Sequence, residues 1–290
     1  MSESLLDIET ALRLKRFNFR TSSKVSGYKS GIHKSTYTGI SPDFSEHKQY
    51  NRGDELKQID WRLYGRHDRL YVKKYEDEVN MRWCILIDKS ASMDYGHGSD
   101  NKFGYAKKLA ATLSYLLLKQ GDAVGLIAFS ETGVEQIPPK SGSHFITPIL
   151  DKLSNLTSSG KTVLEDPVLD ALETYRSDAS FVIISDFLIE TELIEKSITL
   201  CRNSSKELSL FHVLHPDETD FDFKGSIEFE DLETSTKVIV DADSLRHTYI
   251  KRIGEFIAKL KDICHENESR YVLSPTNQSI ERSLIQIADK

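Results

Sequence analysis

The sequence predicts an α/β fold built on a mostly parallel sheet. From residue 82 onward, short runs of β-branched and apolar residues alternate with segments that carry apolar residues at helical spacing. Strands separated by helices form βαβ units, whose strands lie parallel in one sheet. Two of the predicted strands, 82–88 and 180–186, are apolar almost throughout, which is typical of buried parallel strands.

The elements of this pattern follow one another along the chain. We predict strands at 82–88, 123–130, 180–186, 207–214 and 270–273, and helices at 103–120, 143–156, 164–176, 190–203, 245–267 and 278–288. Residues 133–139 form a short edge piece, because Pro138 and Pro139 cannot donate backbone hydrogen bonds to a further strand. Residues 223–241 contain two short strand patterns joined by a turn, which predicts a hairpin inserted into the domain.

Residues 1–80 are predicted to form an N-terminal appendage, and residues 81–290 the sheet domain. Apolar residues at helical spacing over 3–19 predict an amphipathic helix. Its early acidic residues favour packing on the protein over lying on a membrane surface. Residues 21–45 are predicted to be loops, 60–62 a helical turn or a strand, and 70–75 a half-exposed strand.

The cysteines and the N-terminal residues indicate the cellular compartment. The chain has 290 residues and three widely spaced cysteines, Cys84, Cys201 and Cys264, which form no CxxC pair. This predicts neither a disulfide framework nor a zinc site, and the acidic N-terminus has no signal-peptide layout. We therefore expect a cytoplasmic protein. The sequence contains no apolar run of about 18 residues, so no integral membrane segment is predicted.

Charge is unevenly distributed along the chain. The net charge is −7, yet residues 1–74 contain fifteen Lys or Arg and nine Asp or Glu, which leaves +6 there and −13 in the remainder. The acidic main domain argues against a nucleic-acid partner. The basic segment could pack on its own acidic domain, remain solvated or meet an acidic partner, and charge alone does not decide between these.

Oxygen-bearing side chains cluster in loops at the predicted strand ends. Asp88, Ser90 and Ser92 follow the first buried strand, Thr162 precedes a predicted helix, and Asp186 ends a second buried strand. Open α/β sheets place their sites where strands end, so these residues are expected to meet. Carboxylate and hydroxyl oxygens are hard donors, which predicts a site for Mg²⁺ or Mn²⁺, with Ca²⁺ as a further option.

These five residues resemble the metal-ion-dependent adhesion site of von Willebrand factor A domains. The resemblance implies a doubly wound sheet and a protein-interaction function. It implies that Ser90, Ser92 and Thr162 reach the ion directly or through water, and that Asp88 and Asp186 hold coordinated waters. An open position on the ion would then accept an Asp or Glu carboxylate from a partner protein, because neutral ligands leave the ion electrophilic.

A second resemblance covers roughly residues 25 to 95. The segments Ser30–Ser35, Tyr50–Leu56, Ile59–Arg62 and Tyr71–Lys73, with Phe44 and Arg66, are similar to the bacterial family called domain of unknown function fifty-eight. That family joins such a segment to a von Willebrand A-like domain. Its members usually accompany MoxR-type AAA+ ATPases, so the resemblance implies an adaptor or co-chaperone that acts with such an ATPase or its client.

Charged and aromatic residues in the N-terminal segment form a second candidate surface. It comprises Arg52, Asp54, Asp60, Trp61, Arg62 and Arg66. Paired charges of this kind more often specify packing, so a clamp between the appendage and the sheet domain is favoured. The alternative is a docking surface for the ATPase or its client.

Enzymatic alternatives fit the sequence less well. A haloacid-type phosphohydrolase would need Asp two residues after Asp88, where the chain has Ser90. Gly160-Lys161-Thr162 is similar to the end of a P-loop, but its first glycine would fall at Asn155 and a helix is predicted before it. We therefore predict a protein that is not an enzyme. A metal-assisted hydrolase using the same ion and a scaffold with a vestigial ion site remain the alternatives.

Overall fold

Most of the sheet domain and parts of the N-terminal segment are described by the computed structural model. It describes residues 5–15, 17, 19, 43–49, 61–67, 70–76, 81–175, 179–233 and 236–288. The chain divides into two units, one formed by residues 1–23 and 81–290 and the other by residues 24–80.

The first helix, α1 (Ile8–Leu14), is shorter than the predicted 3–19. The side chain of Asp7 accepts a hydrogen bond from the Thr10 backbone N–H at 2.9 Å and caps its start. Ala11 and Leu14 are buried in the core of the sheet unit. The structure therefore assigns this helix to the sheet unit, whereas the predicted boundary at residue 80 had placed it in the appendage. Its apolar face needs a partner surface, and the sheet domain supplies one.

The described part of the unit of residues 24–80 contains an antiparallel strand pair and one helix. The strands are β1 (Asp43–Gln49) and β2 (Tyr71–Glu76), and between them lies α2 (Trp61–His67). The predicted strand at 70–75 is confirmed. Of the two alternatives for residues 60–62, the structure has the helix from Trp61 onward.

The sheet unit alternates strands and helices as predicted. In chain order its elements are β3 (Arg82–Asp88), α3 (Lys102–Lys119), β4 (Ala123–Ser130), β5 (Gly133–Lys140), α4 (Ile146–Asn155), α5 (Glu165–Tyr175), β6 (Ala179–Ser185), α6 (Thr191–Ser204), β7 (Leu208–Leu214), α7 (Pro216–Asp220), β8 (Ser226–Glu230), β9 (Lys237–Asp241), α8 (Ala242–Glu266), β10 (Arg270–Pro275) and α9 (Ile280–Ile285). Among these, only the five-residue α7 has no predicted counterpart.

Six of these strands form one sheet in the order β10-β7-β6-β3-β4-β5. All neighbours are parallel except β5, which runs antiparallel to β4 at the edge. The doubly wound, mostly parallel fold is thereby confirmed, as is the edge position of the segment with two prolines. The hairpin of β8 and β9 forms a separate two-stranded sheet within the domain.

Helices cover both faces of this sheet, which explains why its central strands are apolar throughout. Side chains of β3 alternate between the faces. Ile85 and Ile87 lie in a core with α1, α3, α4 and α9, whereas Cys84 and Leu86 lie in a second core with α5, α6 and α8. Cys84 is buried with a free thiol, as predicted for a small hydrophobic residue. Among the described helices, none is long and apolar enough to cross a membrane.

Candidate functional site

The candidate site lies at the carboxyl ends of β3 and β6, two neighbours at the centre of the sheet. Asp88 is the last residue of β3, and Asp186 directly follows β6. The chain proceeds from β3 to β4 on one side, while β6 lies on the other, so the strand order reverses at this point. Ligands of open α/β sheets bind at such a switch point. Both aspartates are fully buried.

Asp88 is surrounded by neutral hydrogen-bond donors. The backbone N–H of Ser90 donates to Oδ1 at 2.8 Å, and the hydroxyls of Ser185 and Thr162 lie 2.6 and 3.3 Å from Oδ2. Burial and the nearby Asp186 carboxylate together raise the pKa of Asp88 to about 7, although the hydrogen bonds act in the opposite direction. Asp88 is therefore a carboxylate that a cation would stabilise. Ser185 is a contact that the sequence prediction did not include.

The loop after β3 carries the two predicted serines. Ser90 is buried, Ser92 is half-buried, and their hydroxyl oxygens lie 3.0 Å apart. A short 3₁₀ turn at Ala91–Asp94 follows, and its Met93 side chain is buried in the core. The apolar anchor at Met93 thus holds a loop whose neighbouring positions carry the hydroxyls.

Thr162 belongs to the loop between α4 and α5, which is tied to the loop after β3. The backbone N–H of Ala91 donates to the carbonyl of Gly160 at 2.8 Å, and that of Ser159 donates to the carbonyl of Lys89 at 2.7 Å. Gly160 has a φ of +75°, which glycine adopts without the steric cost of a Cβ. The preceding element is the predicted helix, so the strand that a phosphate-binding loop requires is not there.

Asp186 is paired with a buried cation. Lys102 Nζ donates to Asp186 Oδ2 at 2.8 Å and to Glu218 Oε1 at 2.7 Å, and its side chain is fully buried. The Leu188 backbone N–H lies 3.3 Å from Asp186 Oδ1. Burial alone would lower the pKa of Lys102, but the two carboxylates outweigh it and raise that pKa. Lys102 therefore remains charged and neutralises Asp186.

Lys102 was not among the predicted site residues. The sequence indicates it in one way. Lys102 is the first residue of α3, where a cation is unfavourable because it lies at the positive end of the helix dipole. Glu218, which compensates this charge, lies in the unpredicted α7. Its second oxygen accepts the backbone N–H of His215 at 2.7 Å, and the His215 side chain caps the same helix. Helix capping thus orients the carboxylate that holds Lys102.

His212 is a buried histidine beside this ion pair. Its Nδ1 lies 2.7 Å from the Tyr271 hydroxyl, and the rings of Phe187 and Phe256 pack edge-on against it. Burial lowers the pKa of His212 to about 4, so the ring is neutral at pH 7. His212 and His215 therefore occupy different surroundings and do not form a shared ligand pair.

Glu233 adds a carboxylate that the sequence patterns did not indicate. It lies in the turn between β8 and β9, with Oε1 at 3.4 Å from the Thr162 hydroxyl oxygen. Burial raises the pKa of Glu233, while the backbone of Thr162 and the hydroxyl of Ser92 partly offset that effect. The sequence predicts that a turn forms between the two strands. It does not predict which loop the turn contacts, because that contact depends on tertiary packing.

The oxygen atoms of the site fit a hard divalent cation. Mg²⁺ ligands at 2.0–2.1 Å in an octahedron place neighbouring oxygens about 3 Å apart, and the longer Ca²⁺ bonds place them roughly 3.4 Å apart. The Ser90–Ser92 and Asp88–Thr162 separations of 3.0 and 3.3 Å fall in this range. In the part of the chain that the structure describes, no group of three or more His, Cys, Asp or Glu residues could hold a metal. An ion here would depend on the hydroxyls.

The predicted docking residues are mostly outside the described residues. These are Arg52, Asp54 and Asp60, together with the side chains of Arg62 and Arg66. Trp61 begins α2 and is 63% exposed, and its ring packs edge-on against Tyr64 at a centroid distance of 6.2 Å. Whether this segment clamps or docks therefore stays a prediction.

Several solved structures are similar to this chain at low sequence identity. The conserved hypothetical protein BatB from Bacteroides thetaiotaomicron is 14% identical, with a TM-score of 0.48 over 71% of this chain and 96% of that chain. An aerotolerance-related membrane protein from Bacteroides fragilis is 16% identical, with a TM-score of 0.48 over 71% and 98%. The SpRpn10 VWA domain is 12% identical, with a TM-score of 0.44 over 71% and 94%.

Curated relatives and a family model also match. The uncharacterized proteins Rv1480 of Mycobacterium tuberculosis and Mb1516 of Mycobacterium bovis are each 22% identical over 231 residues, which cover 79% of this chain and 72% of the relative. The family model described as "Protein of unknown function DUF58" matches residues 46–255, a range that contains the whole candidate site and the hairpin. The chain therefore belongs to the DUF58 family.

Proposed function

We propose that this protein is a protein-interaction module that binds its partner through a divalent cation held by Asp88, Ser90, Ser92, Thr162 and Asp186. The observation that carries the proposal is the convergence of four of these residues from two separate loops at the switch point of the sheet, where the Ser90–Ser92 and Asp88–Thr162 oxygens lie 3.0 and 3.3 Å apart. The site consists mainly of hydroxyl oxygens together with the carboxylate of Asp88, which unlike Asp186 has no lysine beside it among the described residues. Oxygen ligands of this kind suit Mg²⁺ or Mn²⁺, and they also bind Ca²⁺.

The pairing of Asp186 supports a specific division of labour. Because Lys102 already neutralises Asp186, that aspartate adds little net negative charge to the ion. Ser90, Ser92 and Thr162 are neutral ligands, so only Asp88 would offset the positive charge directly. An ion with so little compensation attracts a further anion, and a partner's Asp or Glu carboxylate is the common protein group that supplies one.

The class of partner comes from the family resemblance. DUF58-type chains usually accompany MoxR-type AAA+ ATPases, so we propose an adaptor or co-chaperone that works in the cytoplasm with such an ATPase or its client. The charge of −13 outside residues 1–74 is consistent with a protein partner, because nucleic-acid-binding surfaces are basic.

A thermal-unfolding experiment tests the ion. A ligand that binds only the folded state raises the melting temperature by mass action. Millimolar Mg²⁺ or Mn²⁺ should raise that of the wild type above its value in EDTA, and Asp88→Asn should remove the effect. Asn keeps the shape of a protonated Asp88, so this variant should fold. Asp94→Asn changes an exposed carboxylate of the same loop and should respond like the wild type. Identical curves with and without ion for the wild type would favour the scaffold alternative.

A binding experiment tests the partner. Calorimetry of the wild type against the MoxR-type ATPase of the same cell should show binding that falls in EDTA and in the Ser90→Ala/Ser92→Ala variant. Circular dichroism provides the fold control. Unchanged affinity under both treatments would contradict the metal-bridged interaction. Metal-dependent hydrolysis of p-nitrophenyl phosphate that disappears in Asp88→Asn would instead support the hydrolase alternative.

A further inference from the structure

The hairpin of β8 and β9 brings a carboxylate of the chain itself to the candidate ion site. Glu233 Oε1 lies 3.4 Å from the Thr162 hydroxyl oxygen of one loop of that site, and Glu233 lines the same cleft as Ser92 of the other loop. Thr162 has one hydroxyl hydrogen, yet it lies at nearly equal distances, 3.3 and 3.4 Å, from Asp88 and Glu233. Both distances are long for an O–H···O hydrogen bond but fit neighbouring oxygens around a divalent cation.

Hydrogen bonds join the described residues around the turn that carries Glu233. The Glu233 backbone N–H donates to the Asp231 side chain at 2.8 Å, and the Asp231 backbone N–H donates to the Thr236 carbonyl at 2.9 Å. Side-chain acceptors of this kind fix turns locally. The Glu233 carboxylate is therefore presented by a formed turn.

An aromatic cluster joins the hairpin to α8. Phe229 stacks on Phe221 at 5.8 Å and meets Phe223 edge-on at 5.3 Å, while Phe221 lies 4.5 Å from the ring of Tyr249 in α8. The β8 strand is otherwise alternately half-buried and exposed. Phe229 pairs with Val238 one position before the last strand pair, so this cluster anchors the end of the hairpin that carries Glu233.

A cleft lies beside this turn. It has a volume of about 460 Å³, and its lining includes Ser92, Lys102, Glu218, Glu233, Phe229 and Tyr249. With Asp231, three carboxylates and the single ammonium of Lys102 line the cleft. Negative charge at Glu233 is therefore favourable when a cation is present.

We propose that Glu233 is the chain's own carboxylate ligand for the ion, in the position that a partner's acidic residue would take. This inference rests on the proposed function. A partner's carboxylate must then replace that of Glu233 on the ion, so the position is occupied until a competing acidic group arrives.

Mn²⁺ titrations of four proteins test this proposal. Water-proton relaxation reports both the affinity for Mn²⁺ and the number of exchanging waters on the bound ion. Compared with the wild type, Glu233→Gln should bind Mn²⁺ on the order of tenfold more weakly and carry one more exchanging water, because one ligand has been lost. Acetate, as the probe for an external carboxylate, should remove that water in Glu233→Gln at lower concentrations than it affects the wild type.

Two further variants separate the possible failures. Glu230→Gln removes an exposed carboxylate of the same hairpin that pairs with Lys237, and it should behave like the wild type. Wild-type and Glu233→Gln proteins with equal affinity and equal hydration would overturn the role of Glu233 alone. If the wild type and Asp88→Asn both fail to bind Mn²⁺, the ion site itself fails, and this inference with it.

Discussion

The two central strands of the sheet both end in a buried aspartate, but the two aspartates have different surroundings. Among the described residues, Asp88 at the end of β3 accepts hydrogen bonds from hydroxyls and a backbone N–H, whereas Asp186 after β6 lies 2.8 Å from the ammonium of Lys102. Burial raises the pKa of Asp88 to about 7, while Asp186 has its compensating cation built in. The same residue type at two neighbouring strand ends thus has a paired lysine in one case and hydroxyl and backbone N–H partners in the other.

The largest effect is expected when the internal cation is removed. Lys102→Met leaves Asp186 and Glu218 without their buried partner, and removing one member of a buried ion pair costs about 3–5 kcal/mol. The free energy of unfolding, measured by denaturant titration in EDTA, should fall by that amount.

The matched control for this variant lies on the same helix. Lys119→Met removes an exposed lysine of α3 and should change the free energy of unfolding by less than about 1 kcal/mol. The double variant Lys102→Met/Asp186→Asn removes both members of the pair and should recover part of the loss. A single Lys102→Met variant as stable as the control would show that Asp186 does not need this cation.

A smaller effect is expected from the loop that positions Thr162. In Gly160→Ala the new Cβ would lie 2.8 Å from Thr132 Cγ2 while φ stays near +75°. Such strain costs roughly 1–3 kcal/mol, and relieving it would shift the carbonyl that accepts the Ala91 N–H. Both the free energy of unfolding and the affinity for Mn²⁺ should therefore decrease.

Gly254→Ala is the control of opposite sign. Gly254 lies in the middle of α8, and nothing lies within 4 Å of an added Cβ. Alanine there should stabilise the protein by about 0.5–1 kcal/mol and leave the affinity for Mn²⁺ unchanged. If Gly160→Ala also leaves the affinity for Mn²⁺ unchanged, the position of Thr162 does not depend on the hydrogen bond between Ala91 and Gly160 that joins the two loops.

The sequence predicts the residues at the two strand ends but not the lysine that pairs with one of them, and the reason is physical. The strands at 82–88 and 180–186, and Asp88, Ser90, Ser92 and Thr162 beside their turns, follow from local patterns of apolar and turn residues together with a family resemblance. Lys102 contacts Asp186 across 84 positions and Glu218 across 116, and no local pattern encodes such a pair.

In the hairpin, too, the local structure was predicted and the long-range contact was not. Its strands were predicted because alternation and a turn are local signals, with bounds within a few residues of β8 and β9. The position of Glu233 over Thr162 was not predicted, because it depends on how Phe229 packs against residues near α8. The separation of residues 1–80 failed at α1 for a related reason, since a short amphipathic helix joins whichever apolar surface the fold offers it.

The last expected effect is a pH dependence of ion binding that arises at Asp88. In the ion-free protein the raised pKa, about 7 against an ordinary value of 3.8, means that a proton occupies Asp88 below pH 7 and must leave when the ion binds. The affinity for Mn²⁺ should therefore fall up to about tenfold, or 1.4 kcal/mol, for each pH unit below 7, and level off above pH 8. Calorimetry at pH 6 in buffers with different ionisation enthalpies should show release of about one proton per ion.

Asp186→Asn sharpens this test, because the charge of Asp186 is one of the causes of the raised pKa of Asp88. Without it, and with Lys102 no longer paired to an aspartate, the pKa of Asp88 should fall and the pH dependence should move to lower pH. The same variant in the absence of ion should also lose less stability than the wild type as pH rises from about 4 to 7. In that window the folded wild type holds a proton that the unfolded chain has released. Mn²⁺ affinity that stays constant from pH 5 to 8 would show that the ion does not meet the Asp88 carboxylate. The contrast between the two strand ends would then concern stability alone.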